Sequence, residues 1–189
     1  MIKQAIIPLA GLGTRLLPLT SVFAKELLPM NGKPGIEYIL DECIEAGIKE
    51  VIFIISKKKE MIKKYFYNDK FYLNIIKKKK DKRIINSYKK ILKYKKMIKF
   101  VYQNKPLGTG DAVYQTKKYI KNKYFLMLLP DDLIIKKNCS KSMIKVHNKF
   151  KSSVMASMNV NKKNVSRWGI YDIKKNINSN NFQIKSVVE

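Results

Sequence analysis

Gln4-Ala5-Ile6-Ile7-Pro8-Leu9-Ala10-Gly11-Leu12-Gly13-Thr14-Arg15-Leu16-Leu17-Pro18 passes from a short apolar, β-favouring run straight into a glycine-bearing turn. An apolar run without polar alternation is the pattern of a strand covered on both faces, as in a parallel sheet. Residues 4–10 are therefore expected as the first strand. Two glycines just past it let backbone N–H groups approach phosphate oxygens, and the crevice outside the carboxyl ends of parallel strands is where such sheets bind ligands. The pattern is not the dinucleotide fingerprint, which needs glycine where Leu16 stands. Nor is it a P-loop, which needs Gly-Lys-Ser/Thr.

Working outward, Pro34 stands where a first helical residue would, and Ile36, Ile39, Leu40, Cys43 and Ile44 share one helix face up to Gly47. Strands are expected at 51–55, 98–103, 124–129 and 153–160, and helices at 58–67, 111–120 and 140–150. That alternation predicts an α/β fold: a mostly parallel, Rossmann-like central sheet with helices on both faces. Residues 56–97 form a lysine-rich insertion, whose stretch 68–97 carries weak apolar periodicity and is expected to be helical. Residues 168–173 and 182–188 read as two further strands in a hairpin around 176–181, making the sheet mixed. One domain is expected over 1–189. Strand-like sequence runs up to residue 189, so the domain is expected to lack its C-terminal part.

With 189 residues and 46% hydrophobic composition, the chain can close one core. No stretch reaches the roughly 18 to 20 apolar residues of a membrane span, and the first residues are too short and polar for a signal peptide. A cytoplasmic location without membrane partner is expected. Cys43 and Cys139 fit neither metal-site spacing nor a disulfide framework and are read as core residues. The net charge of +26 raises the possibility of a nucleic-acid partner. Yet Arg15, Arg83 and Arg167 are the only arginines among 40 basic residues, and base readout favours the guanidinium fork. Lysine interleaved with Ile, Asn, Tyr and Phe is what A/T-rich coding produces, so a solvated lysine surface is preferred to a nucleic-acid interface.

Three further stretches carry chemistry. Lys25-Glu26-Leu27-Leu28-Pro29 brings a cation near the Gly11 loop, alongside Arg15. Gln103-Asn104-Lys105-Pro106-Leu107-Gly108-Thr109-Gly110-Asp111 falls between a strand and a helix, where an amide side chain and bare backbone can reach a base edge. Leu128-Leu129-Pro130-Asp131-Asp132 ends a strand with two carboxylates, hard oxygen ligands that suit Mg²⁺. Of these, Asp131 is the metal candidate and Asp132 a solvated or helix-capping neighbour. His147, the sole histidine, sits in a lysine-rich stretch and is read as a surface residue. No Ser-His-Asp or Cys-His arrangement is present.

Together these stretches resemble the signature of the sugar-1-phosphate nucleotidyltransferase family, and the likeness to its uridylyltransferase branch runs along the whole chain. The resemblance implies a nucleotidyltransferase fold that moves a uridylyl group from UTP to glucose 1-phosphate with Mg²⁺. By resemblance, Ala10, Gly11, Gly13 and Arg15 serve the nucleotide phosphates, Lys25 the reacting phosphates, Gln103 and Gly108 the uracil, and Asp131 the metal. Gly169, in Arg167-Trp168-Gly169, and Glu189, in Val187-Val188-Glu189, fall to the sugar. Asp111 stands where many relatives carry histidine, so its role is open. A thymidylyltransferase acting on the same sugar phosphate, or a non-catalytic nucleotide-binding paralogue, are the alternatives. A homo-oligomer is an option for a full-length form.

Overall fold

The computed structural model describes residues 2–67 and 70–188. In its first compact unit, which extends to Val154, the strands are β1 (Gln4–Pro8), β2 (Pro29–Met30), β3 (Lys33–Pro34), β4 (Glu50–Ile55), β5 (Ile98–Tyr102) and β6 (Leu126–Met127). The helices are α1 (Gly35–Glu45), α2 (Glu60–Phe66), α3 (Lys70–Lys79), α4 (Lys82–Lys95), α5 (Gly108–Tyr114) and α6 (Cys139–Phe150). Four strands form a parallel sheet in the order β5-β4-β1-β6, while β2 and β3 make a small antiparallel pair.

Side chains on a strand alternate between faces, and here both faces are apolar because both are covered. Ala5 and Ile7 of β1, with Leu9 beyond it, join Val51, Phe53 and Ile55 of β4 in the main core. Ile6, Ile52, Ile54 and Val101 point the other way and meet Ala112 of α5. Ile36, Ile39, Leu40 and Cys43 of α1, Ile62 and Phe66 of α2, Ile91 and Tyr94 of α4, and Ile144 of α6 cover the first face. Phe53 stands edge-on to Phe100 at 5.6 Å and tilted against Phe66 at 5.8 Å. Helices therefore lie on both faces of the sheet, as the alternation of apolar runs predicts.

The lysine-rich insertion is helical. Asp81 caps α4 by accepting from the backbone N–H of Arg83 at 2.8 Å, and α4 then docks on α1 through a polar lock. Asp41 accepts from Tyr94 Oη at 2.6 Å, Lys33 Nζ at 2.5 Å and Lys90 Nζ at 2.8 Å. Burial pushes the Asp41 carboxyl up, but these donors outweigh it and hold the group below its ordinary value of 3.8. A carboxylate whose folded pKa is depressed contributes stability above its unfolded pKa and loses it as pH falls through the folded one. Asp41→Asn should therefore cost about 2 kcal/mol at about pH 7 and progressively less as pH falls below the ordinary value of 3.8, read from urea unfolding midpoints across that range.

Elsewhere the structure corrects the expectations. α5 begins at Gly108, before residue 111, and gives way to a 3-10 turn at Lys117–Tyr119. β6 is two residues long, and residues 153–160 form no strand, because among the described residues nothing offers that stretch a hydrogen-bonding ladder. His147 is not a surface residue: it is buried, packs on Tyr124 with ring centroids 4.4 Å apart, and its Nδ1 lies 2.7 Å from the Ser152 carbonyl. It shares the inward stripe of α6 with Ser140 and Ile144. Cys43 is buried in the core, whereas Cys139, the first residue of α6, is only half-buried.

The second unit starts at Met155. A 3-10 turn at Lys162–Arg167 leads into the antiparallel hairpin of β7 (Ile170–Asn178) and β8 (Asn181–Val188). Asn178 Oδ1 accepts from the Asn180 backbone at 3.0 Å and closes the turn. The hairpin is the one expected, with longer strands, but it forms a two-stranded sheet of its own, so the four-stranded sheet is wholly parallel and not mixed. Among the described residues no helix is long and apolar enough to cross a membrane.

Candidate active site

At the carboxyl edge of the parallel sheet, the segments following β1, β5 and β6 surround a cleft of about 300 Å³. Ala10, Gly11, Lys25, Gln103, Gly108 and Asp131 all line it, so one cleft gathers residues taken from four separate stretches of sequence. Gly11 has no atom within 4 Å of where a Cβ would stand. Its bareness is not demanded by packing and leaves backbone open to the cleft. Gly13 differs: its φ of +69° lies in the left-handed region, and a Cβ there would sit 3.1 Å from Thr20 Cγ2. Thr20 Oγ1 also donates to the Gly13 carbonyl at 2.8 Å, which fixes the loop. Gly13 thus shapes the turn without itself lining the cleft.

Lys25 lies in a 3-10 turn, Lys25–Leu27, and its Nζ donates to Asp131 Oδ2 at 3.0 Å. Partial burial pushes the Asp131 carboxyl up. The Lys25 hydrogen bond and charge, a backbone hydrogen bond and the nearby Arg15 charge overcome that, leaving it below the ordinary aspartate range. Arg15 is exposed on the 3-10 turn Thr14–Leu16 and does not line the cleft, although its charge reaches Asp131. Asp132 is exposed as well.

Under this pair lies an ion pair that the motifs did not single out. Lys59 Nζ donates to both carboxylate oxygens of Glu26, at 2.7 and 2.9 Å, with side chains only 8% and 1% exposed. Burial lowers the Lys59 pKa; Glu26 works against that, while the Lys25 charge works with it. Glu26 also lines the cleft. Nothing local marks Lys59 among Lys57, Lys58 and Lys59, since only the fold brings Glu26 to it. Glu26, by contrast, had a signal: a carboxylate between Lys25 and an apolar pair, in a turn against the sheet.

Gln103 is buried, and its side-chain amide is held from two sides. Nε2 donates to the Gly108 carbonyl at 3.0 Å and to Asp111 Oδ2 at 2.7 Å. Gln115 Nε2 reaches the other oxygen of Asp111 at 3.0 Å. Gly108 adopts a φ of +88°, a left-handed conformation that favours glycine and turns its carbonyl into this arrangement. Gly169 directly precedes β7 in the second unit, and Glu189 lies outside the described residues. Among the described residues no group of three or more His, Cys, Asp or Glu could hold a metal.

Sheet order and cleft position define an α/β protein of the Rossmann-like class, with its ligand edge where β1, β5 and β6 end. Residues 4–189 match the Nucleotidyl transferase family, and the chain belongs to it. It is similar to the UTP–glucose-1-phosphate uridylyltransferase of Streptococcus pyogenes, with 36% identity over 176 residues, covering 89% of this chain and 57% of that protein. The UTP-bound UGPase of Acinetobacter baumannii superposes with a TM-score of 0.91 at 30% identity, over 100% of this chain and 68% of that one. A UDP-glucose pyrophosphorylase complexed with UDP-glucose gives 0.85 at 29% identity, over 100% and 69%. The chain thus spans little more than half the length of the S. pyogenes relative.

Proposed function

We propose that this chain carries the nucleotide-binding machinery of a uridylyltransferase that converts UTP and glucose 1-phosphate to UDP-glucose and pyrophosphate. The observation that supports it most is the convergence, in one cleft, of open backbone at Gly11, the Lys25–Asp131 pair at 3.0 Å and the pinned amide of Gln103. Phosphate, counter-charge and base each have a matching group, and the relatives described above carry uridylyl chemistry in their names.

The glycosyl phosphate is ionised at neutral pH, so its oxygen can attack the α-phosphorus of UTP without a general base. The bond from the α-phosphorus to the bridging oxygen breaks and pyrophosphate leaves. Catalysis then rests on positioning and charge neutralisation. The Gly11 backbone cradles the phosphates, Lys25 and Arg15 offset their charge, and Gln103 with Gly108 takes the base.

Asp131 is suited to a divalent ion. It is exposed at the cleft, Lys25 engages its Oδ2, and Glu26 beside it is already taken by Lys59. One carboxylate completed by phosphate oxygens and water suits Mg²⁺, which when bound neutralises phosphate charge. Asp131→Asn should weaken Mg²⁺-dependent UTP binding by about 10-fold or more, while Asp132→Asn stays within about 3-fold of the parent. Calorimetric titration of UTP with and without Mg²⁺ separates the two, and equal loss in both variants would remove the assignment to Asp131. The reading as a whole is tested by incubating the chain with Mg²⁺, glucose 1-phosphate and each nucleoside triphosphate in turn. UTP should bind, and UTP alone or with dTTP should support pyrophosphate release.

A further inference from the structure

Resting on the uridylyl reading of this cleft, we infer that Asp111 is a specificity-determining positioning residue: it locks the Gln103 amide so that only its carbonyl oxygen is left to read the base. The orientation of an amide is settled by its partners. Here both partners of Nε2, the Gly108 carbonyl and the Asp111 carboxylate, are pure acceptors, at 3.0 and 2.7 Å. An amide turned the other way would set oxygen against oxygen twice. Both amide hydrogens are thereby consumed inside the protein, and among the described residues nothing donates to Oε1, although Gln103 is only 6% exposed and lines the cleft. Oε1 is not among the buried unpartnered atoms, so it is open to the cleft and free to accept from a ligand there.

The ligand chemistry follows from that polarity. A pyrimidine set edge-on to Oε1 offers the N3–H of uracil or thymine, whereas cytosine in the same place turns a lone pair toward it. Cytosine would therefore meet repulsion and leave that oxygen covered and unpaired, the situation in which polar sites discriminate most strongly. Asp111 is itself held by Gln115 at 3.0 Å, so the lock runs from an exposed glutamine through a carboxylate to the buried reader. Without the carboxylate, one hydrogen of the Gln103 amide is released and can donate to an acceptor on the base.

The test is equilibrium binding of UTP and CTP to the purified chain, without turnover, for the parent, Asp111→Ala and Asp111→Asn. The parent should prefer UTP by a factor on the order of 10², and Asp111→Ala should lower that preference about 10-fold, by weakening UTP and strengthening CTP. Asp111→Asn is the conservative rescue. Its amide oxygen still accepts from Gln103 while exposed Gln115 turns to suit, so the preference is retained. A purely structural role for Asp111 would weaken both nucleotides equally in Asp111→Ala and keep the ratio; that result overturns the inference and leaves the uridylyl reading standing. A parent chain that binds UTP and CTP alike, or neither, overturns both.

Discussion

Lys59→Met should destabilise the first unit by about 3 to 5 kcal/mol, because it strands a buried carboxylate to which no other described side chain is bonded. Glu26 is 4% exposed, and both its oxygens are bonded to the same ammonium. The double variant Lys59→Met with Glu26→Gln should recover much of that loss, since replacing a buried pair outright is far cheaper than breaking it. Urea unfolding of the parent, both single variants and the double variant gives the coupling directly. A loss below about 1 kcal/mol in Lys59→Met would mean that water reaches Glu26 and that the pair belongs to the surface.

Lys25→Ala should reduce pyrophosphate release by about 10² to 10³-fold with the fold retained, because it removes a preorganised charge from the phosphoryl group in transfer. Lys25 is one-quarter exposed and its only described hydrogen bond is to Asp131, so little stability is at stake. The variant also carries a pH signature. Lys25 is the principal group holding the Asp131 carboxyl low against its partial burial, so in Lys25→Ala that carboxyl protonates at higher pH. Mg²⁺-dependent UTP binding should then fail earlier on acidification than in the parent. Unchanged release in Lys25→Ala, in a chain shown to be active, would assign the phosphate charge to Arg15 instead.

What could be read in advance divides along physical lines. β1, β4, β5, α1 and α6 were legible because their apolar runs or stripes are long and are punctuated by residues such as Gly47. Residues 153–160 were not, because strand-like composition makes a strand only where a neighbour supplies the ladder. The lysine neighbours of His147 point to a surface position, although Ser140, Ile144 and His147 follow the spacing of one helix face. In the candidate site, the motifs name Ala10, Gly11, Lys25, Gln103, Gly108 and Asp131, and the fold brings these six to one cleft, whereas Gly13 and Arg15 stand outside its lining. Glu26, Lys59 and the partnership of Asp111 with Gln103 were not found. Lys59 and the Asp111–Gln103 contact depend on how segments meet, which neither composition nor local spacing encodes, whereas Glu26 carries a local signal beside Lys25.

The strand order has a consequence for how the protein is made. β1 lies inside the sheet, between β4 and β6, yet Ala5 and Ile6 pair with Leu126 and Met127. During synthesis one side of β1 can close as soon as β4 emerges, while the other waits for β6. At ribosomal rates of about 5 to 20 residues per second, that edge stands open for several seconds. An apolar parallel strand with an unsatisfied edge is a template for association with other chains, and the ladder that finally covers it is only two residues long. The nascent chain is therefore most exposed to aggregation, and most in need of chaperone cover, between the emergence of β4 and that of β6.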